Sequence, residues 1–183
     1  MTQFGVSNIA LTARDHESQL MELLELGFSG LEVAPSRVWH DSWHDATPKM
    51  IDKYRRAVER AGLEVIGLHS LLFDQPKLDL FGGVDQREEL FKYFCHLSSV
   101  CRDLGGKTMV WGAGRHSGDL DIQCARDLLI GFVSRLIPVL ETDNTILCLE
   151  PLGPTDTNIL NTVRENIEFV DMFGSSAFKI QMD

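Results

Sequence analysis

Glu150 is hard to explain as packing. It follows the apolar run Ile146-Leu147-Cys148-Leu149 and precedes Pro151, which ends a strand. A glutamate at the end of a buried strand must be ion-paired, protonated or bound to a cation. Asp183 follows Lys179-Ile180-Gln181-Met182 in the same way, 33 residues further on. Carboxylates at two neighbouring strand ends can share one hard divalent cation, and Mg²⁺, Mn²⁺, Co²⁺ and Zn²⁺ all suit such donors. The alternatives are a salt bridge from Glu150 to a nearby lysine or arginine, and an ordinary strand-end role for Asp183. His69 follows Val65-Ile66-Gly67-Leu68. It can hydrogen-bond a substrate oxygen, serve as a further ligand, or bond a neighbouring backbone as a core histidine.

Other strand ends add weaker candidates. Asn8 and Thr12 follow the first apolar run, Glu32 ends the second, and Trp111, Arg115 and His116 follow the fourth. Asp156 and Asn158 lie just past Glu150. Trp111, Arg115, Asp156 and Asn158 are read as substrate contacts. Glu32 is a supporting partner or a structural ion pair. Arg37 and Arg115 can each clamp a phosphate or lie on the surface. Trp39-His40-Asp41-Ser42-Trp43-His44-Asp45 repeats W-H-D at a spacing of four, which on a helix would put His40 and His44 on one face. Without an H-E-x-x-H pattern, the better reading is an aromatic loop over the mouth of the fold, where Trp39 or Trp43 excludes water or stacks on a sugar. The loop 73–84 is either a lid hinged at Gly82-Gly83 or plain connection.

These residues need a scaffold that gathers strand ends. Strands are expected at 4–11, 30–34, 63–68, 108–111, 145–149 and 177–182. Helices are expected at 15–26, from Thr47-Pro48 to Ala61, from an Asp85 cap to Leu104, at 121–142 with Pro138 kinking or shortening it, and at 162–173. Strands apolar at every position, alternating with helices, indicate a parallel sheet covered on both faces. That leaves a barrel or an open doubly wound sheet. No G-x-G-x-x-G follows the first strand, which counts against a dinucleotide-binding fold.

The 183 residues, 44% hydrophobic and 24% charged, suit one folded domain over 1–183. A formal charge of −10 argues against nucleic acid as a partner. No apolar run approaches the ~20 residues of a membrane helix. The start of the chain lacks a secretory pattern. Cys95, Cys101, Cys124 and Cys148 form no C-x-x-C pair and read as reduced thiols of a cytoplasmic protein.

The segments GFSGLEVAPSR, GLEVIGLHSLLF, LGGKTMVWG, LCLEPLGPTDTN and FKIQMD span essentially the whole chain. Through them the sequence resembles the sugar phosphate isomerase/epimerase group of xylose-isomerase-like barrels, which also includes the endonuclease IV type of repair enzyme. The resemblance implies an α/β fold of the (β/α)8 TIM-barrel type, here about six βα units. It also implies metal ligation by Glu150 and Asp183, a substrate contact from His69 and a substrate approach by Asp156. The implied activity is isomerisation or epimerisation of a small sugar or sugar phosphate through an enediolate. Glu150 would be ligand and base, and one divalent metal ion (Mn, Mg, Co or Zn) would serve as cofactor. A histidine from strand seven and a glutamate from strand eight, the other implied ligands, fall beyond residue 183. The expectation is therefore a truncated barrel, catalytically silent or nearly so, whose metal can be absent and whose open edges another copy of the chain can cover. An abasic-site endonuclease and a non-catalytic barrel fragment are the alternative readings.

Overall fold

The computed structural model describes residues 4–182. Six strands, β1 (Gly5–Ser7), β2 (Gly30–Val33), β3 (Glu64–Leu68), β4 (Thr108–Trp111), β5 (Ile146–Leu149) and β6 (Phe178–Ile180), alternate with five helices. The helices are α1 (Leu20–Glu25), α2 (Pro48–Arg60), α3 (Val84–Asp103), α4 (Ile122–Asp143) and α5 (Val163–Asp171). All strand pairs are parallel, and the sheet order is β1-β2-β3-β4-β5-β6. An open doubly wound sheet reverses its order part-way. Strictly sequential order is the arrangement of a barrel wall.

Register explains which side chains meet. Met109, Leu147 and Phe178 lie side by side and are fully buried; Trp111, Leu149 and Ile180 form the next row. The Trp111 ring packs 4.9 Å from Phe94 of α3 and 5.3 Å from Phe132 of α4, so these rows face the helices. The alternate row, Val110, Cys148 and Lys179, faces the other side of the sheet. Glu150 stands two residues beyond Cys148 and shares that inner face.

Helix starts follow local chemistry. Thr47 precedes Pro48 at the first position of α2. The Asp121 side chain accepts from the Gln123 and Cys124 N–H groups, and Thr162 and Glu165 form a capping box on α5. Three expectations need correction. Residue 85 does not cap α3: Gly83 does, its N–H donating to Gln86 Oε1 at 3.0 Å, and Asp85 sits in the first turn. The helix expected over 121–142 does form, as Ile122–Asp143 with Pro138 inside it and without being shortened there, and it closes on Asn144, whose φ of 58° is left-handed. β1 stops at Ser7 instead of running to Leu11. Asn8 leaves the ladder because its side chain accepts from Ala34 N–H at 2.8 Å, and a 3₁₀ turn follows over Asn8–Ala10. α1 is likewise short, preceded by a 3₁₀ turn over Glu17–Gln19 with no side-chain cap at His16. The buried His16 ring instead bonds the Thr12 carbonyl at 2.9 Å and the Tyr54 hydroxyl at 2.7 Å. No helix among the described residues is long and apolar enough to cross a membrane.

Candidate functional site

A cavity of about 410 Å³ opens at the C-terminal ends of the strands. Glu32, His69, Glu150, Asp156 and Gln181 line it, with Leu72, Gly112 and Ala113 among their neighbours. A parallel sheet gathers functional groups at this end, because the loops leaving its strands all emerge there.

Glu150 is fixed through its backbone. Its N–H donates to the Trp111 carbonyl at 3.2 Å, and its carbonyl accepts from Arg115 Nη2. Its carboxylate lies directly over Gly112, where a Cβ would strike Oε2. The close approach requires glycine there. The His69 ring lies 2.6 Å from Ser7 Oγ through Nε2 and 3.2 Å from Ser70 Oγ through Nδ1. The backbone N–H of His69 donates to the Val33 carbonyl at 3.0 Å, which anchors the end of β3 on β2. Ser70 takes a left-handed φ of 51°, turning the chain sharply beside the cavity. Below Glu150, burial and then the charge of Glu32 push the Cys148 thiol up to about 11. Such a thiol stays protonated and unreactive at neutral pH.

The cavity thus brings together Glu32, His69, Glu150 and Asp156. Asp156 sits at its rim and accepts a hydrogen bond from the Thr155 hydroxyl at 3.0 Å. Asp183 lies outside the described residues. Other candidates serve the architecture. Trp111 also borders the cavity, although its ring, 1% exposed, packs against Phe94 in the helix layer because β4's alternation turns it away from the inner face. Arg115 is fully buried and cannot clamp a phosphate. Its Nε donates to the Gly112 carbonyl at 2.7 Å and its Nη2 to the Glu150 carbonyl. Burial pulls the guanidinium down to about 10 against the opposing pull of Glu150. Asn158 accepts from the Ser117 N–H at 2.8 Å and donates to the Gly118 carbonyl at 3.2 Å, tying two loops together. Arg37 donates to the carbonyls of Ile9 and Leu11.

The aromatic loop is not a cover for this cavity. Trp39 is buried in the core beside Tyr54, and Trp43 packs 5.2 Å from Tyr93 of α3. His44 bonds Asp41 at 2.8 Å. Sequence reasoning passed over Ser7 and Gln181. Both stand on the inner face, and counting by twos from the strand ends would have found them.

Carboxylate oxygens of Glu32, Glu150 and Asp156 line the cavity beside the His69 imidazole, and such oxygens suit a hard cation. Among the described residues, no three His, Cys, Asp or Glu side chains come together to hold a metal ion.

The profile of the xylose isomerase-like TIM barrel matches residues 20–183. The chain belongs to that family. Among solved structures of similar shape is the D-psicose 3-epimerase of Clostridium cellulolyticum H10, at TM-score 0.80 and 17% identity, the match covering 98% of this chain and 62% of that one. The 3-keto-D-glucoside 4-epimerase of E. coli gives TM-score 0.78 and 16% identity, covering 98% and 67%. An L-ribulose 3-epimerase gives 0.73 and 18%, covering 97% and 59%. These likenesses establish the fold. The chain spans about 62% of the length of the psicose epimerase it resembles. No curated protein matches it in sequence. For a xylose isomerase-like barrel, the sequential strand order and the cavity at the strand ends are the expected frame.

Proposed function

We propose that the cavity binds a small sugar, and that the barrel to which this chain belongs isomerises or epimerises it by moving a proton next to a carbonyl group. The observation that carries the reading is the Glu150 carboxylate, held over Gly112 at the end of β5 and facing a polar cavity. Structural neighbours named as ketose 3-epimerases and a keto-glucoside 4-epimerase support it.

Glu150 is the base that takes the proton from the carbon beside the carbonyl. His69, held by Ser7, lies where it can bond a sugar oxygen, and Asp156 approaches from the rim. Glu150 and Asp183 are the two ligands this chain contributes to a divalent metal. Asp183 stands two residues past the cavity-lining Gln181 in the sequence. When bound, the metal supplies positive charge beside the carbonyl oxygen. Epimerisation also needs an acid on the opposite face of the sugar. On the resemblance that group is the strand-eight glutamate, itself one of the two remaining metal ligands, and it is not among these 183 residues, so the polypeptide by itself is expected to turn over sugar poorly or not at all.

The test assays this chain and a longer one that completes the barrel, side by side on ketohexoses with Mn²⁺. Turnover by the longer chain alone, abolished by Glu150→Gln, is the expected result. Equal turnover by the 183-residue chain would overturn the divided site. No turnover by the longer chain would overturn the sugar reading.

A further inference from the structure

A second hollow of about 220 Å³ adjoins the sugar cavity, and Ser70, Leu72 and Ala113 line both. Its remaining walls include Phe73, Pro76 and Leu78, with Gln75 beside them, so it is faced mostly by carbon. Apolar cavities of about 150 Å³ accept a benzene ring.

The two hollows share a floor in the loop between β4 and α4. At Gly112 a Cβ would strike the Glu150 carboxylate; at Gly114 it would strike Leu72 Cδ1 at 2.6 Å. Ala113, between them, faces both sides. The acidic cavity and the carbon-lined hollow are thus set side by side at fixed spacing.

The far wall is equally fixed. Asp74 accepts from the Ser42 N–H at 2.7 Å and from its hydroxyl at 2.9 Å. The Gln75 amide donates to Asp41 at 3.1 Å, and its N–H donates to the Leu72 carbonyl at 3.1 Å. Leu78 N–H donates to the Gln75 carbonyl at 3.1 Å. Phe73, in the midst of these anchors, is 80% exposed on the rim. An exposed phenyl ring beside an apolar hollow gains only when ligand carbon displaces water from both.

We propose that this hollow is a subsite for an apolar substituent on the sugar, so that the substrate class is a ketose carrying an aryl or alkyl group at one end. The proposal rests on the reading of the main cavity as a sugar site.

The test measures binding of D-fructose, 1-O-benzyl-D-fructose and 6-O-benzyl-D-fructose to the 183-residue chain in Mn²⁺ by titration calorimetry. At least one benzyl ether is expected to bind about tenfold more tightly than D-fructose. Phe73→Asp, a change at an exposed position, should bring that ratio close to one. Glu150→Gln should weaken all three ligands while preserving the ratio. Equal affinity of all three for the unaltered chain overturns the subsite and leaves the sugar reading standing. A benzyl advantage that survives Phe73→Asp places the ring elsewhere and also overturns it. Failure of all three to bind overturns the sugar reading and the subsite together.

Discussion

The guanidinium of Arg115 donates to the backbone carbonyl of Glu150, 35 residues along the chain. The same side chain holds the carbonyl of Gly112, the residue over which the Glu150 carboxylate rests. One buried arginine therefore sets the spacing between the residue under the carboxylate and the strand that carries it. The charge does its work as a planar fork of N–H donors, a shape that lysine cannot supply.

Replacing Arg115 by Met should destabilise the fold by about 1–3 kcal/mol, because two carbonyls lose a charged donor in a buried setting. Chemical denaturation is the measurement. Arg115→Lys should recover little of the loss.

Gly112→Ala and Glu150→Gln separate position from charge. Glu150→Gln should weaken Mn²⁺ binding by more than about a hundredfold, beyond the range of about 10–100-fold that losing a supporting partner costs, with little change in melting temperature. In Gly112→Ala the new methyl group must push the carboxylate aside. It should lower Mn²⁺ affinity as well, although the charge remains. Titration calorimetry on both variants checks this, and full affinity in Gly112→Ala would place the metal away from Glu150.

Stability should fall as the pH drops below about 6.5. Burial holds His16 and His96 below their usual value of 6.5, against weaker opposing pulls from backbone carbonyls. In this window the unfolded chain takes up protons that the folded chain refuses. The contribution is complete above pH 6.5 and is lost as the pH falls through the lowered folded-state values. Denaturant midpoints between pH 7.5 and 5 should show the slope, and His16→Gln should flatten it.

The 183-residue chain should self-associate. Among the described residues β1 and β6 each pair on one side only, and the apolar side chains of Phe4 and Met182 are exposed near those edges. Unpaired strand edges recruit partners. Light scattering should give an apparent mass that rises with concentration.

The order of elements was legible because each strand is a short apolar run and most helices announce themselves. Thr47-Pro48, Asp121 and Thr162 marked three starts correctly. What misled was the use of strand ends as a roster of functional groups without regard to face. Trp111 and Glu150 both stand at strand ends, but β4 turns its last residue toward the helices, whereas the residue after β5 points inward. Arg115 carried no signal in its neighbours, since its partners are carbonyls that any sequence supplies. Trp39 and Trp43 looked like a cover because loop position says nothing about which way a ring folds. Ser7 was overlooked because β1 was expected to continue to Leu11, beyond the point where Asn8 turns aside to Ala34.

Sequential strand order also has a consequence for how the chain comes into being. Each strand pairs with the one made just before it, so a polypeptide emerging from the ribosome never has to hold an inner strand in waiting for a distant partner. Contacts of this kind close short loops and keep the search local. Growth can proceed one βα unit at a time, each new strand templated by its finished neighbour. The growing edge at any moment is the youngest strand, which the next one to be synthesised covers, while the outer edge of β1 stays open throughout.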